Sequence, residues 1–287
     1  MKKTGALLLA IVLILGCLCG CGKDKFAEGT YVQLGTYSDE PILWRVYQAE
    51  DGNAYLMADQ IISIKAFDAS GNYELGTARA ASGANDWEHS ALRAWLNAEA
   101  EVDYVQKPSK GFVYGGLNSY DTEPGFLSAF SEEEKAVFLN MQRTVFLAEK
   151  DKETATSGTE ALARKTDMGE MATNAETAYQ TVIEDKISLP CVTELAAVEE
   201  SMLIASLTDS AKEDCTGHGD QETLAYWTIT PNGTSDFAQC VINAQGEISD
   251  AEPRNSCIGV RPVICLNASG KGFTGDGTAE KPFMLKK

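Results

Sequence analysis

The sequence predicts an α+β domain, because strand-like and helix-like stretches fall in separate runs instead of alternating. Three apolar strand patterns near the N-terminus are joined by turn-forming residues. Two amphipathic segments follow, at Asp86–Asn97 and after Ser131. The last third then returns to strand patterns rich in β-branched and aromatic residues.

In chain order, Lys2 and Lys3 open the sequence, and Gly5 to Leu18 is an almost purely apolar run. It is shorter than the ~20 residues of a spanning helix and fits the ~7–15-residue core of a secretory signal. Leu18-Cys19-Gly20-Cys21 follows and resembles the bacterial lipobox. That resemblance implies lipidation at Cys21, which becomes the new N-terminus. Cys17, preceded by Ile14-Leu15-Gly16, fits the pattern less well, and an uncleaved anchor helix is the other reading of the run. The implied organisation is a signal peptide over 1–20, a tether over 21–28 and a single α+β domain over 29–287. The domain would be held by a lipid anchor on the extracytoplasmic face of the cell membrane.

Tyr31–Gly35, Ile42–Tyr47 and Ala54–Ala58 read as an antiparallel meander, with turns at Ser38–Pro41 and Asp51-Gly52. In the Asp86–Asn97 helix, Trp87, Leu92, Trp95 and Leu96 share a face, and Asn85 or Asp86 can cap the start. Ser131-Glu132-Glu133-Glu134 is a capping box, and Val137, Phe138 and Met141 supply the buried stripe of a second helix. Asp151–Tyr179 is rich in Thr, Ala and Glu without a clean period, and reads as a polar insertion near 151–179. Ile187–Leu189 resumes a strand, and a further helix lies near Glu194–Ser201. Ala225–Ile229, Gln239–Asn243 and Glu247-Ile248 follow as strands. Gly259–Leu266 is the last, with Pro262 marking an edge position or a bulge. Trp44, Trp87, Trp95 and Trp227 are expected in the core.

Composition is that of a globular chain: 44% hydrophobic and 23% charged residues over 287 positions. Net charge is −18, and loss of the two leader lysines takes it to −20. Such a chain is repelled by phosphate backbones, so nucleic acid is not an expected partner. Two histidines, His89 and His218, leave little material for a histidine metal cluster. Outside the leader stand five cysteines: Cys191, Cys215, Cys240, Cys257 and Cys265. No two have the C-x-x-C spacing of zinc or redox sites. Export permits disulfides, and one or two are expected, with connectivity open.

Several motifs together resemble a domain-of-unknown-function family of exported Gram-positive bacterial lipoproteins. They are Gly35-Thr36-Tyr37 before Ile42–Val46, Trp87–Asn97 (W-x-x-S-x-L-R-x-W-L-N), Phe130–Lys135, Asp185-Lys186, Tyr226-Trp227, Asn243 with Gly246, and Gly259-Val260-Arg261-Pro262. The resemblance extends distantly to the C-type-lectin-like and formylglycine-generating-enzyme folds, and implies two main helices packed on twisted antiparallel sheets. The paired-cysteine copper signature of those enzymes is not identifiable here. Glu252-Pro253-Arg254-Asn255 resembles the calcium-lectin E-P-N loop, but no W-N-D follows.

For function, the expectation is a binding or surface-structural module whose ligand is a glycan or another cell-envelope component. The loops Ala66–Asn85 and Thr208–Thr223 would carry it through Tyr73, His218 and Asp220. The alternative is an exported hydrolase or Cys/metal-dependent enzyme using Cys215, His218 and Asp220, which share one loop. Neither a P-loop nor a dinucleotide fingerprint occurs, no catalytic residue is singled out, and no metal or other cofactor is expected. Arg45, Arg93 and Arg261 lie in apolar contexts and are expected to organise the core.

Overall fold

The computed structural model describes residues 24–68, 81–102, 124–148, 180–214, 221–233 and 239–286. β1 (Tyr31–Tyr37), β2 (Glu40–Glu50) and β3 (Asn53–Ala58) form the expected meander. Both connections are two-residue turns with successive positive φ angles: 48° and 64° at Ser38 and Asp39, 50° and 77° at Asp51 and Gly52. This is the type I′ geometry that matches the right-handed twist of paired strands.

After β4 (Ser63–Ile64) come α1 (Ala91–Leu96), a 3-10 turn (Phe126–Ala129), α2 (Glu132–Lys135), β5 (Met141–Phe146), β6 (Gln180–Asp185) and β7 (Ile187–Ser188). Then follow α3 (Val192–Leu195), α4 (Glu200–Leu203), α5 (Asp209–Asp214) and β8 (Tyr226–Pro231). β9 (Gln239–Ile242), β10 (Ile248–Ala251), β11 (Gly259–Val260), β12 (Val263–Asn267), β13 (Phe273–Thr274) and β14 (Phe283–Leu285) complete the order. One sheet runs β13-β14-β1-β2-β3-β12-β7, a second β10-β9-β8-β11-β4, and β5 pairs with β6. β1–β14 and β8–β11 are parallel pairs among antiparallel neighbours, so both larger sheets are mixed.

This corrects the α+β, C-type-lectin-like expectation of two main helices. Among the described residues the chain is mostly β-sheet, with mixed sheets and a curled half-barrel, and none of the five short helices there reaches seven residues. The physical reason lies in what surrounds each predicted helix. Trp87–His89 form a turn, and Ser90 starts a helix of only six residues by accepting from the Arg93 amide. The capping box at Ser131 forms as predicted, with Glu134 reaching back to the Ser131 amide. Its helix ends after one turn, because the Leu139 amide bonds the Cys265 carbonyl and Met141 enters β5. Val137, Phe138 and Met141 are thus helix exit and strand entry, and strand pairing overrides the 3.6-residue period.

The last predicted strand also divides. Gly259-Val260 pairs in the five-stranded sheet and Val263–Asn267 in the seven-stranded one. Arg261-Pro262 is the crossover between sheets, so the proline marks neither an edge nor a bulge. The Val260 and Pro262 carbonyls accept from Ile62 and Ala58, on the strand that leaves the meander.

Trp44, Trp87, Trp95 and Trp227 are completely buried in one apolar cluster, with Phe67 against both Trp87 and Trp227. Gly35 is required where the 3-10 turn and its flank meet β1. Its φ is +79°, and a Cβ there would stand 2.4 Å from the Phe130 ring. Its amide donates to Glu134, tying the strand to α2.

Candidate functional site

The helix motif is a structural clasp. Ser90 caps α1, and Arg93 Nε, on the next turn, reaches Asp185 Oδ1 at 2.6 Å. The other carboxylate oxygen accepts from Trp87 Nε1 at 2.8 Å. Asn97 Oδ1 accepts from the Lys186 and Ile187 amides, while its Nδ2 donates to the Arg93 and Ile187 carbonyls. Trp87, Arg93 and Asn97 therefore hold α1 against the β6–β7 corner through Asp185 and the 184–187 backbone, while Ser90 caps the helix. Arg261 is likewise consumed by the core: it bonds the carbonyls of Ala58, Met202 and Asp59 and lies over the Tyr226 ring.

Arg45 behaves differently. Strand alternation places Trp44 and Val46 on one face of β2 and Arg45 on the other, beside Tyr31 on β1 and Met57 on β3. Its guanidinium lies over the Tyr31 ring, 5.5 Å from the centroid. It makes no hydrogen bond to a described residue, and its Nε is buried without a partner. Arg45 lines a cleft of about 260 Å³ between the β1–β2 face and the α3–α4 segment. Glu28 and Glu199 add two carboxylates, Val198 and Met202 an apolar wall, and Tyr47 the back. Asp59 lies nearby; burial pushes its carboxyl up, against the opposing pull of Arg261 and Arg45.

Behind Tyr47 is a closed polar network. Glu194 accepts from both terminal nitrogens of Arg143, at 2.6 and 2.9 Å, and from the Tyr47 hydroxyl and the Cys191 amide. The Cys191 thiol sits 3.1 Å from Thr193 Oγ1 and 3.3 Å from Thr230 Oγ1. Burial raises the Tyr47 hydroxyl and the Cys191 thiol, and pushes the Cys265 thiol up to about 11. Both thiols are therefore protonated at neutral pH and poorly nucleophilic. They are buried and unbridged, and no disulfide joins two described cysteines, so the disulfides expected on export are not formed there.

The residues singled out in the sequence fall elsewhere. Cys21, Tyr73, Cys215, His218 and Asp220 lie outside the described residues, as does the 151–179 insertion. The Glu252–Asn255 loop is engaged internally: Glu252 pairs with Arg254 at 2.7 Å, and Asn255 accepts from the Cys257 amide. No group of three metal-ligand side chains occurs among the described residues. Arg143, Glu194 and the cleft acids drew no notice in the sequence. The one available signal was a lone arginine, Arg45, on a β2 face where its cross-strand neighbour Tyr31 is aromatic.

His89 is exposed and bonds Asp86 at 2.7 Å, which raises its pKa. A raised folded-state pKa stabilises fully below the unfolded value of ~6.5 and is lost as pH rises through the folded value. Because the pair is solvent-screened, the loss should stay under ~1 kcal/mol. Urea midpoints for the chain should fall slightly on going upward from pH ~6.5, and His89→Gln should flatten that step.

The fold and cleft define a mixed-sheet β domain built around a two-sheet crossover, with a charged cleft against its meander. The chain belongs to the DUF6273 family, a domain of unknown function whose sequence model matches residues 51–268. Comparison with curated proteins gave no match, and comparison with solved structures gave none either. The match begins at the Asp51-Gly52 turn, so β1, β2, β13 and β14 complete the sheet from outside it. Arg45 and Glu28 lie outside the matched segment; Glu199 and Met202 lie inside.

Proposed function

We propose that this chain is an exported lipoprotein acting as a binding module at the extracytoplasmic membrane face, with a small component of the cell envelope as ligand. The observation that carries the reading is the cleft around Arg45, where a guanidinium has no hydrogen-bond partner among the described residues. A guanidinium that lines a cleft without a hydrogen-bonded acceptor is a natural seat for an acidic ligand. At about 260 Å³ the cleft is smaller than the ~300–1,000 Å³ of drug-sized pockets. That size favours a small molecule or a chain end over an extended glycan.

The N-terminal pattern supports the membrane location. Glu28, at the cleft rim, is the seventh residue after Cys21, a span of at most about 25 Å for extended chain. A diacylglyceryl group on Cys21 supplies two buried chains, enough for stable anchoring. Intact-mass analysis of membrane-extracted protein should show an N-terminal Cys21 bearing diacylglycerol, and Cys21→Ser should abolish that species. A mature N-terminus at any other residue contradicts the anchor.

A further inference from the structure

We infer that the cleft binds a free α-amino acid or the amino-acid end of a short peptide, its carboxylate on Arg45 and its ammonium between Glu28 and Glu199. This rests on the binding reading and names its ligand class. Three charged groups line one small cavity, and none forms an ion pair or a side-chain hydrogen bond with a described residue: Arg45, Glu28 and Glu199. By contrast, Arg93 and Arg261 bond carboxylates or carbonyls through all three nitrogens, and Arg143 holds Glu194 through both terminal nitrogens, its Nε alone without a partner. The cleft therefore carries both signs of charge open to a ligand, which suits a zwitterion and not a simple anion or cation.

The guanidinium fork matches a carboxylate in a planar, two-bonded arrangement. Tyr31 below the guanidinium fixes its plane, since the ring and the cation attract. Val198 and Met202 offer an apolar wall to an uncharged side chain. The two acids outnumber the one base, so the cleft disfavours amino acids with acidic side chains. Its volume holds a single residue with its hydration and excludes an extended chain.

Titration calorimetry on the full chain in detergent micelles tests this, with valine, lysine, aspartate, succinate, 1,4-diaminobutane and phosphoethanolamine as probes. Valine and lysine should bind at least about tenfold tighter than aspartate, succinate or the diamine, since one misplaced charge-assisted bond accounts for about that factor. Arg45→Gln should weaken valine binding by about tenfold or more. Glu199→Gln, at the rim and without any core contact to lose, should weaken it several-fold and keeps the test valid if Arg45→Gln fails to fold. Phosphoethanolamine binding tighter than valine would overturn the amino-acid assignment. Valine binding unchanged in both variants would overturn the site. In either of those cases the binding reading stands. Absence of heat from every probe overturns the inference; the binding reading falls with it only if solubilised envelope fragments also give none.

Discussion

Replacing Asp185 with alanine is expected to destabilise the fold by about 3–5 kcal/mol, the range for breaking a buried ion pair by removing one partner. The carboxylate is completely buried and accepts from Trp87 Nε1 at 2.8 Å and Arg93 Nε at 2.6 Å. Alanine would leave the indole N–H orphaned in the core and Arg93 without its counter-charge. Solvent reaches part of the Arg93 side chain, so the loss should lie toward the lower end of that range. Asp185→Asn keeps an oxygen acceptor and should cost less. Urea unfolding with an unchanged slope would give the difference as a shift in midpoint. An Asp185→Ala midpoint equal to wild type would mean that the clasp between α1 and the β6–β7 corner contributes nothing.

Trp95→Ala is the second large effect, expected to cost about 3–5 kcal/mol as a fully buried indole is truncated. Trp95 stands 5.2 Å from Phe126 and 5.9 Å from Tyr37, ring centre to ring centre, and the Lys65 ammonium lies 4.8 Å from its own. Its Nε1 donates to the Pro124 carbonyl. Deletion would therefore open a cavity where α1, β1 and the 3-10 turn meet, and would uncover the cation of a buried lysine. Trp95→Phe retains the ring contacts and should lose less. Thermal unfolding of the alanine variant at the wild-type temperature would contradict a core shared by these elements.

Parts of this architecture were legible from residues alone. The meander was, because alternation in Ile42–Val46 and the Asp51-Gly52 turn chemistry are local signals that the fold leaves unopposed. Burial of the four tryptophans was legible from their size and apolar company. The helices were over-extended, because an amphipathic period cannot reveal that a neighbouring strand will claim the backbone. Met141 shows this: its side chain fits the predicted helical stripe while its backbone pairs with Asp185 in the β5–β6 ladder, and two residues earlier the Leu139 amide bonds the Cys265 carbonyl. The division of Gly259–Leu266 was hidden for the same reason. Only the partner strands decide that Val260 and Val263 belong to different sheets. The cleft was least visible. Arg45, Arg93 and Arg261 look alike in sequence, and what separates them is the partner each finds. Asp185 and the Ala58 carbonyl satisfy the second and third, and nothing described satisfies the first.

The most direct test of the account is a crystal structure of the chain grown with valine. The account predicts the valine carboxylate on the Arg45 guanidinium at about 2.7–2.9 Å, the range of charge-assisted bonds, with the ammonium facing Glu28 and Glu199. Valine bound at another site, with the Arg45 cleft holding none, would contradict it.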